Sequence, residues 1–68
     1  MYKVGDKVIL NDDKEATIVG IENEPISHNR VYLVNRKYVG KNDKKYGYNR
    51  QYYKKGTWFV YGGEIKGE

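Results

Sequence analysis

Residues 16–21 read ATIVGI, and this stretch decides the fold. Four of its six residues are β-branched, and β-branched side chains favour extended strands over helices. Gly20 interrupts the run, and a glycine inside a strand pattern is typical of a bulge or a sharp bend. The stretch therefore predicts a bent β-strand at the centre of the fold.

Further strand patterns lie on both sides of this stretch. Val8 and Leu10 are two residues apart, which is the period of a half-buried strand. Residues 31–34 (VYLV) and 57–61 (TWFVY) are rich in β-branched and aromatic side chains, which also indicates strands. Residues 64–66 (EIK) can add a short last strand. The chain thus offers five short strand segments.

Turn-forming residues separate the strand segments. Residues 11–14 (NDDK) predict a turn, because Asn and Asp bond to their own backbone and tolerate left-handed conformations. Residues 22–29 contain Pro25 and predict a loop, and Gly62-Gly63 predicts a second turn. No window of helix length shows a sustained 3.6-residue period. The sequence therefore predicts an all-β domain, either a small barrel or a sandwich.

The order of these segments resembles the SH3-like barrels of the KOW and Tudor type. Those families carry a GD-x-V first strand, a tVvgI second strand, a Y-x-V third strand and a closing EL or EI. The segments that match are Gly5–Val8, 16–21, Tyr32–Val34, Trp58–Val60 and Glu64-Ile65. The resemblance implies one domain over residues 1–68, folded as a small five-stranded SH3-like barrel, and the KOW type implies a role with RNA.

In such a barrel a few apolar positions must form the whole core. We expect the core to consist of Val8, Leu10, Ala16, Ile18, Tyr32, Val34, Val60 and Ile65, with Trp58 or Phe59 flanking it. Sixty-eight residues leave room for one small core only.

The amino-acid composition indicates the cellular environment and the type of genome in which we expect this protein. The chain has no cysteine, which argues against disulfides and thiolate metal sites and for a reducing environment. It has no apolar run long enough to span a bilayer and no signal-peptide pattern, so we expect a cytoplasmic protein without membrane contact. Frequent Lys, Asn, Tyr and Ile are typical of an AT-rich genome, as in a low-GC bacterium or its phage.

Residues 36–56 (RKYVGKNDKKYGYNRQYYKKG), hereafter the basic segment, stand apart from the rest. The basic segment holds eight basic residues, one acid and five of the eight tyrosines, for a net charge of +7. The whole chain carries only +4, so the remaining residues are slightly acidic. A one-sided charge of this kind steers partners of opposite sign.

The conformation of residues 39–56 is open at this level. They form a long basic, Tyr-rich insertion between the third and fourth strands, either a loop or a hairpin that turns near Gly47 or Asn49. The hairpin would pair 44–48 with 50–54. A short helix from Asp43 to Gly56 is an alternative, although Gly47 would lie inside it.

The basic segment is the candidate binding surface. Lysine and arginine neutralise phosphates, arginine can do so with two parallel hydrogen bonds, and tyrosine rings can stack on unpaired bases. The sequence predicts a non-enzymatic nucleic-acid-binding module, with RNA or DNA as the partner. The predicted contact residues are Arg36, Lys37, Lys41, Lys44, Lys45, Tyr46, Tyr48, Arg50, Tyr52, Lys54 and Lys55.

Three other interpretations stay open. The chain can be a protein-interaction module, for example a phage factor that modulates a host protein, because Tyr, Trp and Arg dominate interface hot spots. It can carry a Tudor-like aromatic cage for a methylated cation, formed by Tyr32, Trp58 and Tyr61. The basic segment can also be an inert, solvated loop.

The sequence contains no pattern of residues that is typical of an enzyme active site or a cofactor site. Ser27 and His28 are adjacent, and adjacent side chains on an extended chain point to opposite faces, so the pair does not form a nucleophile and base. The carboxylates do not follow the spacing of a calcium loop, and nothing in the sequence calls for a metal or another cofactor.

Overall fold

A computed structural model describes residues 1–24, 27–47, 50 and 54–67. Its elements in chain order are β1 (Lys7–Ile9), β2 (Glu15–Asn23), β3 (Arg30–Val34), helix α1 (Asp43–Tyr46), β4 (Trp58–Tyr61) and a 3-10 helix, η1 (Gly62–Glu64). The predominance of strands confirms the all-β prediction.

The strands form one antiparallel sheet in the order β1-β2-β3-β4. The pairing of β2 with β3 changes register between Ile18 and Gly20, which confirms the bulge predicted from the glycine. A Cβ atom at Gly20 would lie 3.0 Å from Cδ1 of Leu33 on the neighbouring strand. The glycine therefore lets the Leu33 side chain lie across β2 at the bulge.

The chain after β4 turns through η1 and returns to β1. Ile65 forms an isolated bridge with Leu10, and the Lys66 N–H donates to the Ile9 carbonyl oxygen at 2.8 Å. Of residues 64–66, where a short last strand is predicted, only Ile65 pairs, and Glu64 ends η1. The described residues thus contain four strands and one closing bridge.

The core lies on the face of the sheet from which Leu10, Ile18, Val34 and Val60 project, and all four side chains are fully buried. Every residue predicted for the core is in this cluster, and Trp58 packs against it, so the core prediction is confirmed. The structure adds Tyr38 to the buried cluster, and the partly buried Tyr2 packs against it. The cluster consists of Val8, Leu10, Ala16, Ile18, Tyr32, Val34, Tyr38, Val60 and Ile65.

Strand β3 is buried on both faces. Tyr32 and Val34 belong to the core, while Val31 and Leu33 project to the opposite face and are also buried. A small sheet normally leaves that second face to solvent. Other parts of the chain therefore cover β3 on both of its faces.

The described part of the basic segment begins with a helix of one turn. Lys44, Lys45 and Tyr46 lie in α1 and not in a hairpin strand. The helical alternative predicts Asp43 as the N-cap and Gly56 as the end of the helix, but the N-cap is Asn42, Asp43 is the first helical residue, and Gly47 ends the helix. Gly47 adopts a left-handed φ of 70°, which a glycine accepts without strain and which is typical of a helix C-cap.

No helix within the described ranges is long and apolar enough to cross a membrane.

We expect Ile18→Ala to lower the free energy of unfolding by roughly 2–5 kcal/mol, because it leaves a cavity at a position that is 0% exposed. Chemical denaturation followed by circular dichroism measures this loss. Ile9→Ala is the matched control: Ile9 also lies in a strand but is 41% exposed, and we expect a loss of less than about 1 kcal/mol. Equal losses at both positions would contradict the assignment of the core face.

Candidate functional site

The basic side chains of the basic segment fall into two groups. Arg36, Arg50 and Lys54 each pair with a carboxylate of the same chain. The other five are exposed and form no ion pair with any residue that the structure describes: Lys37, Lys41, Lys44, Lys45 and Lys55. The outward positive charge of the segment is therefore carried by lysines.

Three of these lysines lie close together along the chain, in α1 or in the turn before it. We call Lys41, Lys44 and Lys45 the α1 lysines. The Lys45 ammonium lies 5.2 Å from the centroid of the Tyr46 ring, within the range of a cation–π contact. The Tyr46 side chain is itself 58% exposed. Among the described residues, the α1 region thus holds three exposed lysines and one exposed aromatic ring.

Arg36 turns back toward the sheet instead of outward. Its guanidinium bonds to a carboxylate oxygen of Asp12 at 2.6 Å and to the Glu15 carbonyl oxygen at 3.0 Å. A further bond to the Lys37 carbonyl oxygen measures 2.9 Å. The hydrogen bond from Arg36 lowers the pKa of Asp12. Arg36 therefore ties the start of the basic segment to the β1–β2 connection.

Arg50 lies inside the protein, with only 4% of its side chain exposed. One terminal nitrogen bonds to Oδ1 of Asp43 at 2.7 Å, and the other bonds to Oε1 of Glu64 at 2.5 Å. The second nitrogen also lies 3.2 Å from the Phe59 carbonyl oxygen. A guanidinium that is occupied in this way has no terminal nitrogen left for the two-bond phosphate contact expected from the sequence.

Three aromatic rings complete the surroundings of Arg50. The guanidinium carbon lies 5.1 Å from the ring centroids of Tyr38 and Phe59, and 5.8 Å from that of Tyr61. The buried Nε atom has no hydrogen-bond partner in the described part of the chain. Ring faces attract a cation, so they partly replace the missing hydration. These rings, Arg50 and its two carboxylates form what we call the Arg50 cluster.

The carboxylates of the Arg50 cluster keep its guanidinium charged. Burial alone would lower the pKa of Arg50, but the hydrogen bonds that Arg50 donates to Glu64 and Asp43 outweigh that effect, and the pKa is raised. One cation faces two acids here, so the ionised cluster has a net charge of −1. The cluster therefore adds no positive charge to the surface.

Gly40 fits against the cluster because it has no side chain. Its N–H donates to Oδ2 of Asp43 at 2.9 Å, and this bond is buried. A Cβ atom at Gly40 would lie 2.6 Å from Oδ1 of Asp43, 2.6 Å from Oε2 of Glu64 and 2.7 Å from Nη2 of Arg50. Real Cβ atoms essentially never make contacts that short. A larger residue at this position would therefore force the ion-paired ends of these side chains to shift.

Tyr38 joins the cluster to the hydrophobic core. Its side chain is 2% exposed, and its hydroxyl interacts with the Glu64 carboxylate. Burial, together with the adjacent negative charge of Glu64, raises the pKa of Tyr38 to about 12. Tyr38 is one of the five tyrosines of the basic segment, and it faces inward.

The end of the basic segment is also attached to the sheet. Lys54 pairs with Glu22 of β2, and a short turn links Lys54 to Thr57, whose N–H donates to the Lys54 carbonyl oxygen at 2.7 Å. Tyr48 and Tyr52, predicted to stack on bases, lie outside the described residues. The predicted contact residues that the structure does describe are thus split between outward lysines and inward anchors.

A cleft of about 290 Å³ borders the Arg50 cluster. It is lined by Asn11, Lys41, Asn42, Asp43, Arg50, Tyr61, Gly63 and Glu64. The described residues contain no group of three or more His, Asp or Glu side chains that could hold a metal ion. Ser27, considered above beside His28, donates its hydroxyl to the Glu24 carboxylate instead.

The aromatic cage considered above does not form from the rings named for it. Tyr32 is buried in the core, where its ring meets that of Tyr2 edge-on at 5.6 Å. The rings that do surround a cation are Tyr38, Phe59 and Tyr61, and the cation is the chain's own Arg50.

Four residues of the site were not identified from the sequence: Tyr38, Gly40, Asp43 and Glu64. One feature of the sequence could have indicated a buried ion pair: Asp43 is the only acid of the basic segment. Another was the choice of arginine at two positions among six lysines, because arginine is the preferred cation for buried ion pairs. The contribution of Glu64 depends on the fold and has no local signal.

Comparison of the chain with models of protein families, with curated proteins and with solved structures finds no match. The function is therefore argued from the geometry and charge of the site alone.

We expect Gly40→Ala to destabilise the protein by more than about 2 kcal/mol, because the added methyl group must push apart a buried ion pair. Thermal and urea denaturation measure the change. Gly63→Ala is the matched control, since a Cβ atom there meets nothing within 4 Å. A Gly40→Ala variant as stable as Gly63→Ala would show that the Arg50 cluster does not depend on this close approach.

We expect the stability of the protein to fall as the pH rises from about 10 to 12 more steeply than that of Tyr38→Phe. The pKa of Tyr38 is raised to about 12 in the folded state from 10.0. The stabilisation is therefore fully present below pH 10 and is lost as the pH approaches 12. Urea denaturation at several pH values, compared between the two proteins, checks this. Parallel pH profiles would mean that Tyr38 ionises as freely as in the unfolded chain.

Proposed function

We propose that this protein is a non-enzymatic nucleic-acid-binding module. Its contact surface consists of the exposed lysines of the basic segment, with the α1 lysines at its centre and Tyr46 beside them. The partner is the phosphate backbone of RNA or DNA. A cytoplasmic setting, where both are found, is part of the proposal.

One observation carries this proposal. Five lysines of one 21-residue segment are exposed, and none of them is neutralised by a described acid, although the same segment recruits Asp12, Glu22 and Glu64 to pair with its other cations. Lysine acts on phosphate as a mobile point charge, which suits contacts that do not depend on base sequence. The outward lysines and inward arginines support backbone binding more than base recognition.

The proposal includes the SH3-like barrel. The bridge between Leu10 and Ile65 and the bond from Lys66 to Ile9 bring the end of the chain back to the first strand. A five-stranded barrel would close at this point, with η1 as the turn before the last strand. In this arrangement the basic segment projects from one end of the barrel, between the third and fourth strands.

A protein partner is the second candidate. Val39 is 63% exposed and Tyr46 is 58% exposed, and both lie among the lysines. Apolar and aromatic side chains that are exposed beside basic residues suit an acidic protein surface. Under this alternative, a phage factor that modulates a host protein is one example.

The test removes the α1 lysines. We expect Lys41→Ala/Lys44→Ala/Lys45→Ala to weaken binding to a fluorescently labelled DNA duplex or RNA strand of random sequence. The dependence of log K on log salt concentration should become shallower, by about 0.9 for each duplex phosphate contact that is lost. Fluorescence anisotropy over a range of salt concentrations measures both effects.

The matched control removes three exposed lysines outside the basic segment: Lys3, Lys7 and Lys14. Both triple variants change the net charge by the same amount. If the surface is local, only the α1 variant loses the salt-dependent contacts. An equal loss in both variants would indicate general charge attraction. If the wild-type protein binds nucleic acid without salt dependence, or does not bind it, the result would contradict the proposed function and favour a protein partner.

A further inference from the structure

Helix α1 depends on attachment to the rest of the protein. It has only four residues, and an isolated helix of that length is not stable in water. Within the described part of the chain, the strands pack broadly against one another but none packs broadly against α1. The helix is attached to the rest of the protein through Asp43, its first residue. Asp43 is 5% exposed and accepts hydrogen bonds from Arg50 and from the Gly40 N–H.

The attachment continues from Arg50 to the sheet. Glu64 accepts a hydrogen bond from Arg50 at 2.5 Å and another from the Tyr61 N–H at 3.0 Å. Tyr61 is the last residue of β4, and Glu64 is the last residue of η1. A continuous chain of polar contacts therefore runs from the sheet through Glu64, Arg50 and Asp43 to the helix that carries the lysines.

We propose that Asp43 and Glu64 are positioning residues of the binding surface. They contact no phosphate, and they hold the α1 lysines in place through Arg50. This inference rests on the proposed function, and it adds that two acids are required for the binding of a polyanion.

The sign of the effect separates this role from simple electrostatics. The ionised Arg50 cluster carries a net charge of −1 and lies beside Lys41, with which it lines one cleft. If charge alone mattered, removal of one acid would reduce repulsion and strengthen the binding of nucleic acid. If the acids position the lysines, the same removal weakens binding.

The decisive variant is Glu64→Gln. Glutamine keeps the shape of the side chain and can still accept the Tyr61 N–H, but it removes the charge that holds Arg50. We expect a severalfold loss of affinity for a labelled duplex of random sequence, together with a shallower salt dependence. The second readout matters because a partly unfolded population would lower the apparent affinity equally at every salt concentration and leave the slope unchanged.

Glu15→Gln is the matched control. Glu15 is exposed, and its side chain forms no ion pair with any described residue. This variant raises the net charge by the same unit, and we expect its affinity to be equal to or above that of the wild type. Melting curves identify the temperature range in which all of the variants are folded, and binding is measured in that range.

Tyr38→Phe provides a second test if Glu64→Gln does not fold. It removes the hydroxyl that interacts with Glu64, keeps the ring beside Arg50 and changes no charge. We expect a smaller loss of affinity and of salt dependence. If Glu64→Gln binds as tightly as Glu15→Gln, or if Tyr38→Phe keeps the wild-type salt slope, the positioning role is overturned and the proposed function stands. A wild-type protein that binds no nucleic acid overturns the proposed function itself.

Discussion

The burial of the Arg50 guanidinium is the constraint on which the organisation of the basic segment depends. A charge removed from water is strongly unfavourable unless it is paired and hydrogen-bonded. Here the pairing comes from two parts of the chain, since Asp43 belongs to the basic segment and Glu64 follows β4. Breaking such a pair is far more costly than never forming it, because the remaining charge stays buried. The segment and the sheet are therefore coupled through one side chain.

The same side chain also bonds to the backbone of β4, which is the last strand in the sheet order of the described residues. Arg50 donates to the Phe59 carbonyl oxygen of that strand. A domain of this size has a small core, so a segment that bonds to β4 and adds Tyr38 to the core contributes to the fold as well as to the surface.

The strands and the core could be predicted because their signals are local. Alternation, β-branching and Gly20 act within a few residues, and they located every residue of the buried cluster except Tyr38. They did not locate Val31 and Leu33, which are buried on the other face of β3. Residues 64–66 were harder to predict. Glu64 lies in η1, where it bonds to Arg50 and Tyr61, and these contacts form only in the folded state. The roles of Arg36 and Arg50 depend on acids 24 and 14 residues away along the chain. Sequence proximity to lysines made both arginines look like surface residues.

The chemistry of the arginine and lysine side chains explains why the arginines of this segment turn inward while most of its lysines stay exposed. Arginine is weakly hydrated, planar and able to donate several hydrogen bonds at once, so it tolerates burial among rings and carboxylates. The lysine ammonium is strongly hydrated and stays in water at the end of a flexible chain. A net charge of +7 for the segment therefore overstates the positive charge that it exposes. Its arginines are paired with carboxylates within the fold, and the exposed positive charge of the described part of the segment is that of its lysines.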